Sequence, residues 1–372
     1  MQELSRESLP FARSLLKNGT WQLKRLRPLL GAVVLLFIVY RLYQVLLVQQ
    51  EYGPDTWTRL LVSGLIIGGV YALIAIGYTL VYGILFMINF AHGEVMMLGA
   101  YAGLFAFQAF GAIRVGPTST NFLNTFPVFA IFVSFIIGMS ISAAAGYFLE
   151  KIAYRPLRKA PRLVPLISAI GASIFLQNAA QLLFSPQLRE VTNPEILRRG
   201  AGWTLVINGT NVIIPYTGVF TFILSIILLI SLYIIVRKTR LGRAMRAVAL
   251  DKKTAALMGV DVDRTISQTF IISGALAGAA GVMWGLHNGL VHYYVGFIPG
   301  IKAFTAAVLG GIGNLPGAML GGLVLGIVES MGPAALGIDF QLKDVLAFVI
   351  LIIVLTFRPS GLLGEVLAEE KV

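Results

Sequence analysis

An all-α fold that crosses a membrane many times is predicted by three observations. Of 372 residues, 57% are hydrophobic and 12% charged, against about 25% charged in ordinary soluble domains. Apolar runs long enough to cross a hydrocarbon core of roughly 30 Å follow one another along the chain. The Lys and Arg behind the net charge of +12 fall in short clusters between those runs, where they fix orientation in a bilayer. No nucleic-acid partner is implied. With zero cysteines, the fold uses no disulfide and no cysteine metal site.

Taken in order, residues 1–28 carry Arg6, Arg13, Lys17, Lys24, Arg25 and Arg27 against only Glu3 and Glu7. That bias favours a cytoplasmic N-terminus. The apolar run 29–48 reads as an uncleaved anchor, because no small-residue cleavage site follows it. Arg41 inside the run needs an interface to snorkel to or a partner within the protein. Residues 58–110 hold one spanning helix and a second, interrupted segment. No Asp, Glu, Lys or Arg falls between Arg59 and Glu94, and the interruption reads Asn89, Phe90, Ala91, His92, Gly93, Glu94. Further spans fall at 127–149, 163–185, 213–236, 266–286 and 341–357. A Gly-rich pair of shorter segments lies across 297–331 and forms two short spans or a re-entrant hairpin. The chain therefore has about 8–10 transmembrane helices.

Two basic loops set the sidedness. Lys151, Arg155, Arg158, Lys159 and Arg162 form one, and Arg237, Lys238, Arg240, Arg243, Arg246, Lys252, Lys253 and Arg264 form the other, so both belong in the cytoplasm. Counting spans from them puts 187–212 and 111–126 outside and Arg358 inside, and returns the N-terminus to the cytoplasm. The count needs 297–331 to begin and end outside. Arg189, Arg198 and Arg199, in the loop assigned outside, run against the rule.

Small residues recur at helix-contact spacing, at Ser273, Ala277, Gly281 and Gly285 and again at Gly313, Gly317 and Gly321. Such faces let helix backbones approach closely in lipid, and packing is their expected role. Nothing else repeats at a fixed period, and the spans read as one domain.

The motifs of an enzyme are missing. There are three histidines, His92, His287 and His292, with no HExxH, no GxSxG and no Gly-Lys pair of a phosphate-binding loop. His287 and His292 are five apart, which is off one helix face, so they are expected to be interfacial or pore-lining side chains, with no metal and no cofactor. The polar break is the candidate site. A charge at the centre of a membrane helix costs roughly 2.5–3.5 kcal/mol, so Glu94, pairing with Asn89 or His92, should face protein or a water-filled path. Asn89, His92 and Glu94 are path or gate candidates, the competing role for Glu94 being a polar anchor at a helix interface. Tyr78, Gln177, Asn178 and Thr305 form a second set, for which interhelical hydrogen bonding competes. Residues 237–265 are too polar to cross. Ala244–Met258 lacks Pro and Gly and is rich in helix formers, so it is either a short partner-docking helix on the cytoplasmic face or a solvated loop.

Three stretches carry a family resemblance: GVYALIAIGYTLVYGILFMINFAHGEVMMLGAY (69–101), AYRPLRKAPRLVPLISAIGASIFLQN (153–178) and KAFTAAVLGGIGNLPGAMLGGLVLGIVE (302–329). With the 237–265 loop, residues 57–365 resemble the LivH-type permease of high-affinity branched-chain amino acid ABC importers. The resemblance implies an N-terminal extension with one extra membrane helix at 1–56, a permease domain at 57–365 and a C-terminal tail at 366–372. It implies a multi-pass protein of the bacterial inner membrane. It also implies four kinds of contact: a second homologous permease subunit, two cytoplasmic ATPase subunits, a periplasmic substrate-binding protein delivering leucine, isoleucine or valine, and the lipid bilayer. On that basis 244–260 seats on an ATPase, with Arg243, Arg246, Asp251, Ala255, Ala256 and Gly259 as coupling residues. The rivals are a urea or short-amide permease of the same superfamily and a self-sufficient secondary transporter. The latter calls for inverted repeats and an intramembrane charge pair, and the sequence displays neither.

Overall fold

The computed structural model describes residues 31–364 apart from 34–35, 50–51, 116–119, 159, 162, 208 and 359. The basic N-terminus, the tail 366–372, and Lys159 and Arg162 of the first basic loop lie outside the described residues. Among those described, nine helices are long and apolar enough to cross a bilayer. They are α1 (Gly31–Gln49), α2 (Pro54–Leu85), α3 (His92–Ala112), α4 (Pro127–Leu157), α5 (Leu163–Phe184), α6 (Tyr216–Lys238), α9 (Val262–Asn288), α11 (Leu315–Leu336) and α12 (Phe340–Phe357). Beside them lie the polar helices α7 (Arg240–Leu250) and α8 (Lys252–Leu257), the short apolar α10 (Phe297–Gly310) and single helical turns such as Phe122–Thr125 in the connections. The chain is an all-α polytopic membrane protein, and among the described residues strands are confined to three two-stranded ladders in its connections. Of these, β1 (Arg114–Val115) pairs with β2 (Thr120–Asn121), β3 (Arg189–Glu190) with β6 (Leu290–Val291), and β4 (Gly202–Ile207) with β5 (Thr210–Pro215).

Local chemistry sets the helix ends. Pro54 and Pro127 open α2 and α4 at positions where a missing N–H is harmless. Asp261 caps α9 by accepting from the Arg264 N–H at 2.9 Å, and Asn314 caps α11 by accepting from the Gly317 N–H at 3.1 Å. Arg41 meets the need read from its position in an apolar run: its guanidinium donates to the carbonyls of Leu336 (2.8 Å) and Gly337 (3.0 Å), which end α11.

Segments that the charge count places on one side share one end of the bundle. At the end marked by the two basic loops, Arg158 pairs with Asp263 at 2.5 Å. At the opposite end Arg59 donates to the Asn211 carbonyl at 2.7 Å, and the Glu195 N–H donates to Asn124 at 3.2 Å. Two of the three arginines that ran against the rule are engaged within the protein. Arg189 donates to the Phe184 carbonyl at the end of α5 (3.0 Å) and lies over the Phe105 ring, and Arg199 lies against Gly289.

The region 297–331 differs from the expectation of two shorter segments. α10 has 14 residues, about 21 Å at 1.5 Å per residue, but α11 is a full-length span of 22 residues. The turn between them sits beside the segment after α12, where Leu362 and Leu363 N–H groups donate to the carbonyls of Leu309 (2.8 Å) and Gly310 (3.0 Å). The turn of the pair therefore lies at the same end of the bundle as the close of α12.

Glycines carry the packing. Gly64 and Gly68 of α2 lie against Gly322, Gly326 and their neighbours in α11, and Gly274 and Gly278 of α9 lie against Gly138 and Ser142 of α4. The expected face at Ser273, Ala277 and Gly281 packs on α2 and α3, with Ser273 donating to the Gly77 carbonyl at 3.0 Å and Gly281 meeting Met96 and Ala100. Gly317 and Gly321 face α10 as expected. Gly313 does not: it is a turn residue with φ +97° and open space where a Cβ would stand.

The α2–α11 contact predicts a contrast between two glycines. Gly326→Leu would drive a side chain into Gly68 backbone, so thermal unfolding of the purified protein in detergent should show a loss of about 1–3 kcal/mol. Gly83→Ala, where a Cβ meets nothing, should hold or gain about 0.5–1 kcal/mol.

Candidate functional site

The polar break joins two complete helices; it does not interrupt one. α2 ends at Leu85 with Phe86 in the left-handed region (φ 55°), the chain reverses over 86–91, and α3 opens at His92. Asn89 fixes the reversal. Its Oδ1 accepts from the Ala91 N–H (3.1 Å) and from the Tyr154 hydroxyl at the end of α4 (2.5 Å), a turn-stabilising use of asparagine. His92 packs edge-on to Tyr78, ring centroids 4.8 Å apart, in space that only Gly77 leaves open. The His92 Nε2 is buried and makes no hydrogen bond.

Glu94 pairs with neither Asn89 nor His92. Residues two apart on a helix do not share a face, so Glu94 turns from His92 toward α5. One carboxylate oxygen accepts from the Gln177 amide at 2.7 Å and from the Ser173 hydroxyl at 3.3 Å. The other oxygen is buried without a partner. Ser173 and Gln177 are four apart on α5, so one face of that helix supplies both donors. Further along, Phe184 of α5 packs on the Tyr101 and Phe105 rings of α3 at 4.6 and 5.3 Å and Ser168 donates to the Ala153 carbonyl at 3.0 Å, while Ile167, Ile174, Phe175, Leu182 and Leu183 are exposed. Asn178 is exposed beside Gln177, donates to the Ile174 carbonyl of its own helix at 2.8 Å, and lines an open depression of about 580 Å3 with Gln181, Ser185 and Arg189. Thr305 is fully buried and donates to the Ile301 carbonyl in α10 at 3.1 Å. Of the seven sequence-selected residues, the structure joins Glu94 to Gln177 and His92 to Tyr78. Asn178 and Thr305 bond within their own helices, and Asn89 bonds its own turn and Tyr154 of α4.

The short helix α10 walls the break on another side. Gly296 and Gly300 meet Gly93 backbone to backbone, and Phe304 lies 6.0 Å from both the Tyr78 and Phe90 rings.

The cytoplasmic segment expected at 244–260 is two helices broken at Asp251. α7 buries Gly242, Met245 and Val248 and leaves Arg243 and Arg246 outward; Arg246 also donates to the Val236 carbonyl. Asp251 accepts from the Thr254 hydroxyl (2.5 Å) and the Lys253 N–H (2.8 Å), and these bonds hold its carboxyl below the usual range. Ala255 is buried within the chain, which removes it as a contact for a partner, whereas Ala256 and Gly259 are exposed. The sequence reading missed Leu250, Leu257 and Met258, each at least 80% exposed on this polar surface.

Two ionic clusters were also missed. Glu150, wholly buried, accepts from Arg155 (3.3 Å), Arg158 and Ser267 (2.7 Å) at the basic end. Within the membrane-spanning region, Lys302 of α10 reaches Glu329 of α11 at 2.7 Å and Asp344 of α12 at 2.6 Å. An intramembrane charge pair is therefore present, contrary to the sequence reading. Lys302 and Glu329 stand 27 residues apart, each among apolar neighbours, so no local pattern marks them as partners. Among the described residues no group of three His, Cys, Asp or Glu could hold a metal.

Comparison with known proteins places this geometry in a family. Residues 60–355 match the family described as the branched-chain amino acid transport system permease component. The chain belongs to that family. It is 46% identical over 306 residues to the high-affinity branched-chain amino acid transport system permease protein BraD of Pseudomonas aeruginosa, covering 82% of this chain and 95% of that protein. It is 44% identical over 305 residues to the corresponding permease protein LivH of Salmonella typhimurium, covering 82% and 94%. A more distant similarity, 29% over 237 residues, links it to the fructose import permease protein FrcC of Rhizobium meliloti. No solved structure gives a significant match.

The Asn89 turn can be tested apart from any transport role. Tyr154→Phe removes one of the two bonds to Asn89 and leaves the ring in place, so thermal unfolding should register a loss of about 1 kcal/mol, with Asn89→Ala losing more.

Proposed function

We propose that the chain is the membrane permease subunit of an ATP-driven importer for leucine, isoleucine and valine in the bacterial inner membrane. It would assemble with a second homologous permease, two cytoplasmic ATPases and a periplasmic binding protein, ATP hydrolysis belonging to the ATPases. The observation that carries this reading is the identity of 44–46% to branched-chain amino acid permeases over 94–95% of their length. The seam between α3 and α5 supports it. Its one direct polar link is Glu94 with Ser173 and Gln177, and α5 presents a broad uncovered face on which a second permease would close the path. Parting that link opens a polar route beside the membrane helices, and each partner would bias the opening through its differential affinity for the two states. On the cytoplasmic side, Leu250, Leu257 and Met258 with Arg243 and Ala256 offer an apolar patch rimmed by charge that suits an ATPase contact. Residues 1–56 would be an extension to the permease proper. The Lys302 pair is what a self-sufficient ion-coupled transporter would need, yet it is closed by direct bonds and lies on the side of α10 away from Glu94.

Copurification with its partners, reconstitution in vesicles and uptake measurement test the reading. ATP-dependent uptake of leucine, isoleucine or valine is expected, and uptake of urea or short amides in their place would overturn it. In the same assay Leu257→Asp should lower both ATPase retention and uptake while the permease still reaches the membrane; unchanged values would return 244–260 to a solvated loop.

Glu94→Gln separates a gate from an anchor. It keeps shape and most hydrogen bonding but removes the charge, so a charge-dependent gate predicts a strong drop in uptake at normal assembly. Wild-type uptake would leave Glu94 as an anchor. Glu94→Ala, which strips the partner from Ser173 and Gln177, should reduce stability by about 1–3 kcal/mol in either case.

A further inference from the structure

We propose that Lys302 is a positioning residue for transport, clamping the short helix α10 to α11 and α12 so that α10 holds the wall of the Glu94 site. The inference rests on the importer reading and concerns how its path is kept in register. Among the described residues Lys302 is the only buried lysine or arginine. Its ammonium donates to Glu329 at 2.7 Å and to Asp344 at 2.6 Å, and stands 5.9 Å from the Tyr71 ring of α2. One group thus ties α10 to three other helices.

The clamp sits opposite the site. Gly296, Gly300 and Phe304 recur every four residues and face the break at Gly93, Tyr78 and Phe90. Lys302 is two residues from Gly300 and from Phe304, which puts it on the other side of the helix. α10 is too short to span, so neither lipid anchoring nor its own length fixes its depth. At its far end it is held by the Leu362 and Leu363 N–H groups. Between those bonds and the glycine contact at Gly93, α10 lies backbone to backbone on Gly317 and Gly321 of α11, and the Lys302 bonds are its ionic attachment and its direct side-chain bond to α12. α12, whose span is otherwise only 6% buried, is tied in through the same ammonium.

Removing Lys302 alone leaves the buried Glu329 carboxylate unpaired, with Asp344 half-exposed beside it, which is destabilising, whereas neutralising a whole ionic group of this kind is often tolerated. The informative variant is therefore Lys302→Met/Glu329→Gln/Asp344→Asn, compared with Lys302→Arg and wild type in the full complex. The clamp predicts that the triple variant assembles normally while uptake per assembled complex falls about tenfold, and that Lys302→Arg stays within about twofold. A role in folding alone predicts wild-type uptake per complex for the triple variant, and that result would overturn the proposal. A second readout needs no transport. Ala307 of α10 is buried beside a small gap lined by Tyr78, Tyr82, Ile88 and Phe304, and the chain has zero cysteines. Alkylation of Ala307→Cys should accelerate about tenfold in the triple background and not with Lys302→Arg; an unchanged rate would equally sink the clamp. If the wild-type complex takes up no branched-chain amino acid, the importer reading fails, and alkylation alone decides the clamp.

Discussion

Hydrocarbon offers no hydrogen bonds, so a polar side chain that this chain carries into the bilayer is stabilised where a partner stands inside the protein. The structure is arranged by that demand. The reversal at 86–91 is possible within the bundle because Asn89 closes on the Ala91 N–H and is itself held by Tyr154. α11 ends where the Arg41 guanidinium takes up its last carbonyls. Glu94 can lie at the head of α3 because α5 brings two donors to it, and Lys302 can lie in α10 because two carboxylates converge on it. In each case a polar side chain fixes the place of a helix end or a helix seam.

Satisfied polar groups set position, and small residues then let the backbones close. In lipid there is little hydrophobic gain from bringing helices together, so contact area and close approach carry more of the association. The two long helices α2 and α9 each run a glycine face along a second helix, α11 and α4 respectively. Backbone contact at Gly93, Gly296 and Gly300 brings the break within reach of α10 by the same means. The bundle is thus tight around α2, α3, α9 and α10 and looser at α5, which is held by the polar link through Glu94 and by Phe184 on the Tyr101 and Phe105 rings. A firmly packed frame with one weakly attached helix suits a subunit whose path must open and close.

Composition and period alone determined the all-α membrane class, most of the spans, their shared ends and the polar break as the place to look. These are local properties: an apolar run reports on itself, and a charge cluster reports on the loop that holds it. The family resemblance came from long contiguous stretches, and the match over 60–355 agrees with it. Partnerships between distant residues came only from the tertiary structure. Sequence neighbours suggested that Glu94 pairs with His92 or Asn89, but helical geometry turns it to Ser173 and Gln177, 79 and 83 residues away. Lys302, Glu329 and Asp344 each looked solitary until three helices packed side by side. The resemblance made Ala255 a coupling residue, and helix packing buried it while leaving Leu257 and Met258 bare. The hydropathy of a segment is written in the segment, whereas the partner of a buried charge depends on which helices are adjacent, and only packing decides that.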